Sequence, residues 1–139
     1  MQLQIPAPWT VYIDDVMSGP ETITGFEEFA TGTEQVMFRK PSFYTELCRG
    51  MLAIPNTSVV VDMQAHGGSK SLKCEWQFKD DAAHWARLTT YSLYGNPSPL
   101  LPNPTVSFAQ PISFWIRLDP PPPLCHVPAQ DMEGDGDVD

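Results

Sequence analysis

KSLKCEWQFK, residues 70–79, decides how this chain is to be read. Leu72, Cys74, Trp76 and Phe78 occur at every second position, with Lys73, Glu75, Gln77 and Lys79 between them. A period of two places the first set on one side of an extended strand and the second set on the other. The apolar side must then face a core. After a short DDAA connection, HWARLTTYS (84–92) continues the pattern, which predicts an antiparallel hairpin. Ala86, Leu88 and Thr90 are its expected inward residues; Trp85, Arg87, Thr89 and Tyr91 point outward. ISFWIRL (112–118) repeats the arrangement, with Ile112, Phe114, Ile116 and Leu118 inward. Ser113, Trp115, Arg117 and Asp119 fall on the other face.

Working outward, short apolar runs recur at 10–16, 24–30, 34–40, 57–65 and 105–109, with a single turn near 45–52. The 15 prolines and 9 glycines punctuate these runs, and no helical period of any length is found. Eight short strands of this kind predict an all-β, two-sheet antiparallel β-sandwich of jelly-roll type. Four consecutive prolines follow Asp119 and make a stiff spacer. The expected organisation is a sandwich over 9–119, a proline-rich linker over 120–130, and an acidic segment over 131–139.

With 139 residues, 42% of them hydrophobic and 11% aromatic, the chain can bury a real core. No window approaches the ~18 apolar residues of a membrane span. MQLQIPAPWT at the start lacks the features of a signal peptide. The balance of 8 basic and 17 acidic residues gives −9, which argues against nucleic acid, because phosphate binding needs clustered Lys and Arg. Five of the acids lie in the last nine residues. Three cysteines at wide spacing (Cys48, Cys74 and Cys125) make neither a disulfide framework nor a zinc set, although Cys48 and Cys74 could pair in a secreted protein.

The outward residues have a chemistry of their own. Trp85, Arg87, Tyr91, Trp115 and Arg117, beside Glu75 and Gln77, form a platform suited to sugars. A pyranose stacks its C–H face on an aromatic plane while its hydroxyls bond polar neighbours. The competing expectation is that the N-terminal arm or the 41–56 loop covers these rings. A second question lies in YIDDV, where Asp14 and Asp15 should point to opposite faces of a strand. The inward one needs a partner. Calcium would supply it, with Glu27 or Glu28 and carbonyls of HGGSK (66–70) as further ligands. Capping of the strand end in water is the alternative, and spacing does not choose between them.

WTVYIDDV (9–16), GFEEFATGTE (25–34) and AHGGSKSLKCEWQF (65–78) together resemble three landmarks of carbohydrate-binding-module-type β-sandwiches. The resemblance implies a structural calcium held by Glu27, by the turn around Ser69–Ser71, and by Asp14 with Asp15. The order departs from that pattern, because YIDDV precedes FEEF. Either 9–16 is a permuted strand that completes this sandwich, or it closes a preceding domain. The first is expected, since without that strand the sheet would expose an edge.

DMEGDGDVD (131–139) aligns with the first nine positions of a calcium loop, with Gly136 at the turn position and the final bidentate acid beyond the last residue. Behind a proline linker it resembles the start of a bacterial type I dockerin-like repeat, cut short and expected to bind calcium weakly and stay disordered. That resemblance implies a secreted, extracellular bacterial protein of several domains. His66, His84 and His126 form no metal motif, and no nucleophile elbow or phosphate loop occurs. An acid pair such as Glu75 and Asp119 could be drawn for glycoside cleavage, yet nothing selects it. The expected function is a non-catalytic extracellular carbohydrate-binding module stabilised by calcium. Its partners would be a polysaccharide or glycan and neighbouring domains of a longer chain, with no nucleic acid and no membrane. The alternatives are a structural or adhesive module that binds no sugar, and a small polysaccharide hydrolase or lyase.

Overall fold

The structure, a computed structural model, describes residues 5–41, 48–90, 106–107 and 109–119. Among them the chain is all-β, with five strands in one antiparallel sheet. These are β1 (Trp9–Ser18), β2 (Glu21–Thr24), β3 (Met51–Val61), β4 (Ser71–Phe78) and β5 (Ile112–Asp119).

β1 is the hub. WTVYI is rich in β-branched and aromatic residues, which favour a strand packed on both sides. Residues Trp9 to Ile13 pair with β4, from Trp9↔Trp76 to Ile13↔Leu72. The opposite edge of β1 pairs with β5, from Thr10↔Asp119 to Ser18↔Ile112. Beyond a bulge near Val16, the end of β1 turns back at Gly19 into β2. β4 in turn pairs with β3, whose register breaks between Met51 and Asn56. Pro55 lies in that break and has no N–H for a ladder. Residues 9–16 thus belong to this sheet, at its centre.

The face of β4 expected to be apolar does build the core, joined by one face of β1: Val11, Ile13, Leu72, Cys74 and Trp76 are buried with Phe26, Val36, Met51 and Val60. Phe78 is only partly buried at its margin. Burying each large side chain of this set contributes about 1.5–3 kcal/mol. Segments 26–38 and 84–90 cross over this face, with Ala86 and Leu88 packed on the core and single bridges at Phe38↔Thr90 and Arg49↔Trp85.

Four expectations are corrected here. β4 does not form a hairpin with 84–92; both its edges are taken by β1 and β3, so 84–90 is sent across the core instead. In that segment Thr89 is buried, and Thr90, expected inward, is only partly so. The run 24–30 leaves the sheet at Thr24, because Phe26 adopts φ 63° and its carbonyl accepts the Phe29 N–H at 3.2 Å in a tight turn. Finally, Ile112, Phe114 and Ile116 are exposed, since β5 is an edge strand that the covering segments do not reach. Cys48 and Cys74 are both buried, and burial pushes the Cys74 thiol up to about 12. Tyr91, Cys125, the linker and 131–139 lie outside the described residues.

Candidate functional site

Directly paired residues of an antiparallel sheet share a face. Opposite the core, that rule gathers Thr10, Tyr12 and Asp14 of β1 with Lys73 and Glu75 of β4 and Trp115, Arg117 and Asp119 of β5. A cleft of about 370 Å³ opens there between β5 and residues 64–66. Tyr12, Gln64, His66, Trp115 and Arg117 line it.

The segment 64–66 is held by carboxylates. Asp14 is buried, and its Oδ2 accepts the N–H of His66 at 2.7 Å and of Gly67 at 3.0 Å. Its Oδ1 accepts the N–H of Asp15 at 2.7 Å. Asp15 takes φ 46° at the bulge, which turns its side chain toward the same loop as Asp14. A methyl placed on Gly25 would lie 3.5 Å from Asp15 Oδ1 and 3.8 Å from Asp14 Oδ1. The expectation of opposite faces is therefore corrected, and the bulge is the physical reason. Asp15 Oδ2 meets His66 Nδ1 at 2.6 Å, and the His66 ring stacks on Trp115 with centroids 3.6 Å apart at 14°. The backbone at Gly67 packs closely on Asp15, and an added Cβ would stand 2.9 Å from its Oδ2 and push the carboxylate aside.

Glu27 repeats the device further along the turn. Its Oε1 accepts the N–H of Ser69 and of Lys70, each at 2.7 Å, and its Oε2 accepts the Ser69 hydroxyl at 3.1 Å. These bonds, the Lys70 N–H first and then that of Ser69, hold its carboxyl below the usual range. Glu28 instead accepts the Thr24 hydroxyl at 2.7 Å. Ser71 is buried and donates to the Met63 carbonyl at 2.6 Å.

Asp14, Asp15, Glu27 and Ser69 thus line one turn, whereas Ser71 does not join them. The turn, however, offers N–H donors to Asp14 and Glu27, and a cation needs oxygen lone pairs. Among the described residues no three His, Cys, Asp or Glu side chains stand together as a metal set. The backbone N–H groups of the turn hold Asp14 and Glu27 in an amide-bonded clamp.

The proposed sugar platform is divided. Trp115 and Arg117 line the cleft. Glu75 is on the same face, half-buried, accepting the Thr10 hydroxyl at 3.2 Å with Lys73 Nζ 3.8 Å away. Gln77 is half-buried and donates to the Pro6 carbonyl at 2.7 Å, so the N-terminal arm occupies it. Trp85 and Arg87 lie elsewhere, exposed on the outer side of the segment that covers the core. Arg49 reaches over the Trp85 ring, Cζ to centroid 5.3 Å, beside a second cleft lined by Lys79, Asp80 and His84. The Ala82 N–H and the His84 ring lower the affinity of the Asp80 carboxyl for a proton. Each tryptophan is partly covered, Trp115 by His66 and Trp85 by Arg49, and stays about half exposed, Trp85 at 52% and Trp115 at 55%.

Tyr12, Gln64 and His66 were absent from the expected site. The alternation of WTVYIDD already placed Tyr12 on the face away from Val11 and Ile13. No sequence signal placed 64–66 against β5, because long-range contacts, the Asp14 and Asp15 bonds to His66 and its stacking on Trp115, bring that loop there. Comparison of the chain with described protein families, curated proteins and solved structures finds no match.

Proposed function

We propose that this chain is a non-catalytic carbohydrate-binding module of an extracellular protein, with its sugar site in the cleft of Tyr12, Gln64, His66, Trp115 and Arg117. The observation that carries the reading is the lining of that cleft. An exposed indole and a buried phenol supply apolar surface, and an amide, an imidazole and a guanidinium supply hydrogen bonds around it. Among the described residues Arg117 has no carboxylate within ion-pair distance, so its donors are available to hydroxyls. His66 covers one face of Trp115, so a pyranose in the cleft would pack against the exposed ring edge. About 370 Å³ suits one or two sugar rings.

The finer architecture in this proposal is a two-sheet sandwich. The segments crossing the core form its second layer, supported by the Phe38↔Thr90 and Arg49↔Trp85 bridges and by the Arg39 N–H bonding the Thr89 carbonyl at 2.9 Å.

Pull-down or calorimetry against a panel of plant and microbial polysaccharides tests the function. The wild type should bind at least one of them, and Trp115→Ala should weaken that binding at least ~10-fold, while Trp85→Ala changes it little. Binding to no polysaccharide, or equal binding by Trp115→Ala, would remove the reading. Released oligosaccharide would point to the hydrolase or lyase instead. An adhesive module is the second reading, favoured by the exposed apolar side chains of β5.

A calcium ion at this turn would use the remaining lone pairs of Asp14, Asp15 or Glu27 beside their backbone N–H partners. A melting temperature raised by calcium and lowered by chelator would support a structural ion at this turn. An unchanged one would mean that the amide clamp is complete.

A further inference from the structure

We infer that β5 is a self-association edge, through which two copies of this chain join as antiparallel strands. The inference does not depend on sugar binding. It begins with the two long edges of the sheet, which are treated differently. The outer edge of β3 is closed by residues 32–35: Gly32 N–H bonds the Val60 carbonyl at 2.8 Å, Val60 N–H the Thr33 carbonyl at 2.9 Å, and Gln35 N–H the Ser58 carbonyl at 2.8 Å. The outer edge of β5 has no such partner among the described residues.

That bare edge also lacks the usual protection. Edge strands are normally blunted by lysine, proline or a bulge of their own. Ile112–Asp119 contains neither lysine nor proline, and carries Arg117 and Asp119 as its only charges. Four large apolar side chains stand open along it: Ile112 54%, Phe114 54%, Trp115 55% and Ile116 51% exposed, with residues on both faces of the strand. A partner strand must therefore be apolar on the side of Ile112, Phe114 and Ile116 and able to pack on Trp115 on the other. The stretches 96–104 and 120–128, with four and five prolines, lack the N–H donors such a strand has to offer.

A second β5 meets the requirement. The pattern ISFWIRL is symmetric about Trp115, with apolar residues at 112, 114, 116 and 118 and polar ones at 113 and 117. A two-fold contact needs such self-complementarity. Centred on Trp115, it sets Phe114 against the partner's Ile116 and Ile112 against the partner's Leu118. Arg117 falls opposite the partner's Ser113, so no like charges face each other. With about half of each of four side chains available, at most about 400 Å² per copy is covered by side chains. That is below the ~800 Å² per partner of a standard interface, so the dimer should be weak, with Kd on the order of 10–100 μM.

Sedimentation velocity of the full chain from ~1 to ~500 μM tests this. The wild type should move from monomer to dimer mass over that range. Phe114→Lys/Ile116→Lys should weaken association at least ~10-fold, and Ile54→Lys, at an exposed β3 position, should leave it unchanged. A wild type monomeric throughout would overturn the inference, as would equal effects of the two substitutions. Should the double variant fail to fold, hydrogen exchange of the wild type serves instead. β5 amides should gain protection as concentration rises. Protection that does not vary with concentration would show a cover from the same chain and would equally overturn it.

Discussion

β1 and β5 are neighbours with similar sequence patterns and opposite fates. Both alternate apolar and polar residues, and they pair along most of their length. Yet β1 is buried on both faces, with Thr10, Tyr12 and Asp14 as inaccessible as Val11 and Ile13, while β5 is exposed on both. The pair Ile13↔Ile116 makes the contrast plain, at 3% and 51% exposure. Alternation tells which side chains share a face. It does not tell whether anything covers that face, because covering depends on loops that carry no period.

The sharpest way to break this contrast is to truncate both isoleucines. Ile13→Ala should cost about 2–5 kcal/mol, because it leaves a cavity in packed surroundings. Ile116→Ala should change stability by less than about 1 kcal/mol at concentrations where the chain is monomeric. Urea unfolding of the two variants measures both. Equal losses would mean that β5 is as deeply packed as β1.

A smaller effect is expected at the next rung of the same ladder, Asp14↔Trp115. Asp14→Ala would leave the N–H groups of Asp15, His66 and Gly67 without their acceptor. The cost should be about 2–3 kcal/mol in unfolding free energy, together with looser stacking of His66 on Trp115, visible as a change in tryptophan fluorescence. Retention of full stability would mean that the loop is held by other contacts.

The smallest effect concerns pH. The folded carboxyl of Glu27 titrates below its ordinary value of 4.5, because Lys70 and Ser69 N–H groups favour its charged form. A depressed folded value gives a contribution present above the unfolded value and lost as pH falls through the folded one. Stability should thus decline as pH drops below about 4.5, and Glu27→Gln should flatten part of that decline. Glu27 is exposed, so solvent screening keeps the change modest. Melting temperatures of the two proteins across this range would show it. Identical slopes would assign the acid sensitivity to other carboxylates.

How much of the molecule was legible beforehand varied by region. The all-β character and the inward set of 70–79 were readable, because a two-residue period has one geometric meaning. Tyr12 was readable on the same ground. The sugar platform was only half readable. Trp115 and Arg117 do line a cleft, but Trp85 and Arg87 were assigned to the same face through a hairpin that the chain does not make. A strand has two edges, and β1 and β3 occupy both edges of β4. Which strands pair is a long-range matter, and nothing in DDAA announces that 84–90 must cross the core. The Asp14–Asp15 dipeptide misled for a local reason, since a bulge with one residue at positive φ points two adjacent side chains the same way.

By itself the sequence determined local facts: extended backbone, which residues alternate, where proline and glycine interrupt, and a composition able to support a core. Those follow from covalent geometry and sterics within a few residues. Tertiary structure alone decided that residues 9–18 are the central strand, that a loop closes over Asp14 to build a cleft, and that β5 remains open. Those outcomes depend on hydrogen bonds and packing between residues dozens of positions apart, where strand edges compete for partners and each edge accepts only one.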